Sequence, residues 1–176
     1  MTITVYTVGH STRTIEGFIV LLESVAIQTV IDVRTIAKSR HNPQYGETEL
    51  GASLSDAGIA YRRMSGLGGL RHTTSASINQ AWENRSFRGY ADYMQTAEFT
   101  ESLHELIRIA ETTRTVIMCA EIVPWRCHRS LIGDALTVRG ISVIDLIDVG
   151  KPRAHRLTSF AHVDGHTVTY PTTAEP

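Results

Sequence analysis

TVIMCAEIVPWRCHRSLIGDALTV, residues 115–138, decides how the chain is read. Its first four residues are apolar and partly β-branched, the pattern of a buried strand. From Ser130 to Val138 the apolar residues follow helical spacing, so a helix is expected there. Cys119, Glu121, Arg126, Cys127, His128 and Arg129 fall between the strand's C-terminal end and the helix N-terminus. Backbone N–H groups and the helix dipole favour anions at such a place, thiolates included. In an open α/β sheet the same edge is where ligands bind.

Upstream, Thr4–Val8 and Thr29–Val33 read as strands. Between them Ile15, Phe18, Ile19, Leu22 and Ala26 keep helical spacing behind Thr14 as N-cap. This βαβ unit implies a parallel sheet. The polar stretch from Ala37 to Thr48 is long for a connection and is a candidate binding loop. A short helix is expected over Glu49–Ala57, then a strand over Ile59–Met64 and a glycine-rich loop over Ser65–Arg71. Helices follow at Phe87–Met94 and Thr96–Glu111, and a last strand at Ile141–Ile147, with Gly140 ending the helix before it.

After Asp148 the character changes. Lys151–Arg156 reads as a polar linker, and the segments around Asp164-Gly165 read as a hairpin. The expected organisation is an α/β domain over 1–148, with a linker and hairpin extension over 149–176. The domain's mainly parallel central sheet is flanked by helices in Rossmann-like layers.

The totals bound the function. A length of 176 residues suits one domain with a substantial core. A net charge of −1 gives no support for bulk nucleic-acid or anionic-membrane binding. The longest wholly apolar run, Phe18–Leu22, is far too short to span a bilayer. The first residues start directly as a strand, with no signal-peptide pattern, so a cytoplasmic protein with reduced thiols is expected. Two cysteines cannot make a disulfide framework.

The ordered motifs carry a resemblance. They are Thr7–Ser11, Ile31–Arg34, Ser39-Arg40 with Pro43, Gly58–Tyr61, Leu67–Gly69, the helix around Phe87 and Tyr90, Met118–Glu121 and Cys127–Arg129. In this order the sequence resembles the domain of unknown function 488 family. Thr35-Ile36-Ala37 departs from it, since many members place a proline soon after the Asp-x-Arg. The resemblance implies a compact α/β fold and a shared polar site, and it implies no particular activity.

Each motif has a bland reading beside the chemical one. A thiol at a helix N-terminus among Arg126, His128 and Arg129 should have a lowered pKa, so Cys127 is the candidate nucleophile; otherwise it is a packed cysteine. Glu121 is a candidate proton-transfer group beside His128, or an ion-pair partner of Arg34 or Arg129. Cys119 reads as a core residue rather than a partner of Cys127. Asp32 and Arg34 share a strand face, Arg34 offering a bidentate fork for an anion or else a salt bridge. His10 and Ser11 either donate to a ligand or cap the next helix. Gly68 and Gly69 either present N–H groups to an anion or form a turn. Tyr90 stacks on a ligand or anchors the core. Arg40, Arg126 and Arg129 complete the expected substrate-binding set. His155, His162 and His166 read as surface residues.

The leading expectation is a cysteine-dependent transferase or hydrolase acting on an anionic, phosphate- or nucleotide-like small molecule. Cys127, His128 and Glu121 are its candidate catalytic residues, and no cofactor is indicated. One alternative is a non-catalytic domain that senses a nucleotide or nucleic-acid end. Another is a metal-binding protein using His10, Glu121, Cys127 or His128, although the Cys119/Cys127 spacing matches no CxxC zinc framework.

Overall fold

The computed structural model describes residues 2–172. Its strands and helices follow the sequence pattern closely. They run β1 (Thr4–Gly9), α1 (Ile15–Glu23), β2 (Thr29–Asp32), α2 (Glu47–Asp56), β3 (Ala60–Arg63), α3 (Arg85–Tyr93), α4 (Ala97–Thr112) and β4 (Thr115–Cys119). Then come α5 (Arg129–Thr137), β5 (Ser142–Leu146), β6 (Pro152–Ala154), β7 (His162–Asp164) and β8 (Thr167–Thr169). Thr14 caps α1 as expected, its hydroxyl accepting from the Gly17 N–H. The helix stops sooner than its apolar spacing suggests, and Ala26 lies beyond it at φ 58°.

The six-stranded sheet has the order β3-β2-β4-β1-β5-β6. The first five strands are mutually parallel, and β6 pairs antiparallel with β5. Strand β4 therefore lies between β1 and β2, and the first βαβ unit straddles it. Alternating residues of β4 feed two cores. Val116 and Met118 join Phe18, Leu22, Leu50 and Leu54 on the α1/α2 side. Ile117 and Cys119 join Tyr90, Phe99, Leu103 and Leu131 on the side of α3, α4 and α5. Buried side chains of this size contribute about 2 kcal/mol each, so packing rather than intrinsic propensity holds the helices.

Chain direction now places a site. From β1 the chain crosses through α1 on one face, and from the adjacent β4 it continues into α5 on the other. Their C-terminal ends thus form the crevice where connections diverge, the usual ligand position in such sheets.

The tail is more integrated than a linker and hairpin. Lys151–Arg156 contains β6, an edge strand that tolerates Pro152 because an edge need not donate on both sides. The β7–β8 hairpin forms around Asp164-Gly165 as expected. His155 is not a surface residue. Its Nε2 lies 2.9 Å from Asp134 of α5, with a side chain 7% exposed. His162 and His166 are exposed. Tyr170 is fully buried and donates to Asp134 Oδ2 at 2.7 Å. Tyr170→Phe should therefore cost about 1–2 kcal/mol, read from urea unfolding. An unchanged midpoint would mean that this bond contributes nothing to holding the tail. No helix among the described residues is long and apolar enough to cross a membrane.

Candidate active site

Three loops and one helix start meet at the crevice. Behind β1 comes His10, behind β2 come Arg34 to Ser39, and behind β4 come Ala120 and Glu121. With Cys119, Arg126, Cys127 and His128 they line a cavity of about 360 Å³, whose apolar walls are Ile36, Leu70, Phe87 and Tyr90. His10, Arg34 and the β4 end thus converge on one cavity.

At its floor the two cysteines touch. Cys127 Sγ lies 2.7 Å from Cys119 Sγ, and both thiols are free. Cys119 is therefore a partner of Cys127 as well as a core residue, contrary to the sequence reading. Strand alternation turns it toward α5, and α5 begins directly above it. Behind the pair is Arg129, 1% exposed. Its Nε donates to Cys119 Sγ at 2.9 Å, its Nη1 to Thr7 Oγ1 at 2.9 Å, and its Nη2 to the carbonyls of Glu121 and Ile122 at 2.6 and 3.2 Å. No carboxylate among the described residues pairs with this guanidinium. Burying an unpaired cation is costly, so the site favours a negative charge beside it.

The thiol pair supplies that charge. Burial alone pushes the Cys127 thiol up, but a hydrogen bond from Cys119, the Arg129 charge and the Arg129 backbone N–H outweigh it. The Cys127 thiol falls from its ordinary 9.0 to about 7. Cys119 is pushed well up, first by burial and then by its bond to Cys127 and the charge there. The two sulfurs titrate as one pair that releases a first proton near neutrality and holds the second.

His128 stands next to the pair. Its Nε2 lies 2.8 Å from the Val33 carbonyl and donates to it, so Nδ1 is left unprotonated, 3.4 Å from Cys127 Sγ. Burial lowers its pKa, outweighing the raising effects of Cys119 and the Val33 carbonyl. A neutral imidazole thus faces the thiol with an open acceptor.

The other expected residues divide. Arg126 lines the mouth and is exposed. Glu121 lines the cavity, but its carboxylate pairs with neither Arg34 nor Arg129; only its backbone carbonyl meets Arg129. Arg34 lines the cavity, yet Asp32 already takes its fork at 2.9 and 2.7 Å. Only Nη1 is left over, 3.4 Å from His10 Nε2. Asp32 is fully buried outside the cavity lining and also accepts from Tyr61 at 2.5 Å, so it positions Arg34 rather than reaching a ligand. His10 stacks on Tyr45 with ring centroids 4.1 Å apart, and burial lowers its pKa.

Ser11, Arg40, Gly68 and Arg129 are not among the lining residues. The Gly68 N–H is taken by the Ser65 carbonyl, while Gly69 lines the wall against His128. Tyr90 contributes its ring to the wall while its hydroxyl is held by the Leu67 carbonyl, so it is chiefly an anchor. Lys38 and Ser39, from the expected binding loop over Ala37–Thr48, line the cavity, while the sequence reading missed Cys119, Ile36, Leu70 and Phe87 as lining residues. Among the described residues no three His, Cys, Asp or Glu side chains gather as a group that could hold a metal ion.

A family model described as Domain of unknown function DUF488 matches residues 14–136. The chain belongs to this family. Within the DUF488 match lie Arg34, Lys38, Cys119, Cys127, His128 and Arg129, while His10 lies just before it. No match was found among curated proteins or among solved structures.

Proposed function

We propose that this DUF488 protein is a cysteine-dependent transferase or hydrolase, with Cys127 attacking a small anionic, phosphate- or nucleotide-like substrate. The observation that carries the reading is the buried Arg129 without a carboxylate, touching a thiol pair at the floor of a cavity. Cys127 forms the covalent bond as a thiolate. His128 Nδ1 takes the thiol proton where the thiol is still protonated and returns it to the leaving group. Water or an acceptor then displaces Cys127. Lys38 and Arg126 supply positive charge around the cavity, and Arg34 Nη1 is a further donor there. The chemistry needs a free thiol, which fits a reducing, cytoplasmic setting.

The test is alkylation by iodoacetamide, resolved for each cysteine by mass spectrometry. Cys127 should react about tenfold faster per pH unit up to about 7 and level off above it. Cys119 should not be modified ahead of Cys127 anywhere in this range. A Cys127 midpoint at the ordinary thiol value would sink the nucleophile assignment. Stability follows the same titration. The folded chain holds fewer protons than the unfolded chain between about 7 and 9.0, so stability from this thiol rises with pH there and is lost below about 7. Thermal stabilisation by an anionic ligand that survives Cys127→Ser, without any covalent adduct, would favour the sensing domain instead.

A further inference from the structure

A nucleophilic cysteine does not need a second thiol against its sulfur. Here the second thiol comes from a different element, the end of β4, and strand alternation aims it at the start of α5. Both sulfurs line the same cavity, and Arg129 donates directly to the second one, Cys119. We infer that Cys119 and Cys127 form a thiol–disulfide exchange centre that takes small anionic disulfides. The inference rests on the nucleophile reading and names the electrophile as a sulfur.

Two displacements balance the reaction. The Cys127 thiolate attacks one sulfur of a disulfide RS–SR, an S–Cys127 bond forms, the RS–SR bond breaks, and RS⁻ leaves. Cys119 then attacks the Cys127 sulfur as a thiolate, its proton passing to solvent or His128. A second RS⁻ leaves, and the chain keeps a Cys119–Cys127 disulfide. Two electrons move from the protein dithiol to the small disulfide. The order follows from the charges. Next to burial, what holds the Cys119 proton is the bond to Cys127 and the charge on it. Both disappear once Cys127 carries the RS group, and Arg129 remains in contact with Cys119.

Access selects the substrate. Cys119 is 3% and Cys127 6% exposed, so the disulfide of a folded protein cannot reach them, whereas a small molecule fits the cavity. Lys38 and Arg126 at its lining favour negative charge.

The reduced full-length chain, freed of reductant, is mixed with dithiobis(nitrobenzoate), an anionic aromatic disulfide. The wild-type chain should release two nitrothiobenzoate ions and retain none, with a Cys119–Cys127 disulfide in the peptide map. Cys119→Ser and Cys119→Ala should each release one and retain one on Cys127. Of two alkyl disulfides, the anionic dithiodipropionate should react at least about tenfold faster than the cationic cystamine. A wild-type chain that keeps an adduct on Cys127, or on both cysteines, overturns the exchange centre while leaving the nucleophile intact. A Cys127 inert to both this reagent and iodoacetamide overturns both readings. Equal rates with the two alkyl disulfides overturn the anionic selectivity.

Discussion

Arg129→Met should slow alkylation of Cys127 at pH 7 by about tenfold and destabilise the fold by about 3 kcal/mol. The rate effect follows from what opposes burial at Cys127. The Arg129 charge and side-chain donation are among the forces bringing the thiol to about 7. Without them only the hydrogen bond from Cys119 and the backbone N–H at position 129 oppose burial, and the thiol rises. A midpoint raised by somewhat more than one pH unit is about tenfold in thiolate fraction at pH 7. The stability effect follows from the acceptors left behind. Glu121 and Ile122 carbonyls, Thr7 Oγ1 and Cys119 Sγ all lose a donor in a buried place. Methionine keeps most of the stem volume, so the loss reports hydrogen bonding and charge rather than a hole. Arg108→Met, at an exposed position of α4 outside the cavity lining, is the control and should change the rate less than about threefold. A folded Arg129→Met chain with wild-type alkylation at pH 7 would show that the guanidinium does not hold the thiolate.

Gly9→Ala should cost about 3 kcal/mol or more and separate the two sulfurs. A Cβ on Gly9 would sit 1.6 Å from the Glu121 carbonyl oxygen and 2.8 Å from the Ile122 Cα. Both obstacles are backbone, so no rotamer relieves them. The loop that must move is the one whose carbonyls hold Arg129. It is also bonded to the β1 end through Ser11 N–H to Ala120. Loss of stability in urea, together with a Cys127 midpoint shifted upward, is the expected pair of results. Gly51→Ala on α2, where the added Cβ meets only Tyr61 at 3.5 Å, should leave stability within about 1 kcal/mol of wild type. If Gly9→Ala behaves like Gly51→Ala, the close approach is not rigid.

Features set by neighbouring residues were legible in the chain. The Thr14 cap, the Asp164-Gly165 hairpin and the strand–loop–helix unit around Cys119 and Cys127 all arise from local dihedral preferences and hydrophobic spacing. Strand β6 was hidden because Lys-Pro-Arg-Ala-His-Arg carries linker composition, and pairing with β5 alone makes it a strand. His155 was hidden for a related reason. Its burial depends on Asp134, which is on another element. Cys119 was nearest to being found. Its place beside Cys127 followed from strand alternation, once the face covered by α5 was known.

The sequence by itself determined the layered α/β class, the parallel sheet and the position of a thiol at a helix start, because periodicity and caps act over a few residues. Only the tertiary structure decided which charges are free and which sulfurs meet. Asp32 neutralises Arg34, while Arg129 is left without a carboxylate and faces two thiols. The insertion of β4 between β1 and β2 sets those pairings, and strand order is fixed by packing across the whole sheet.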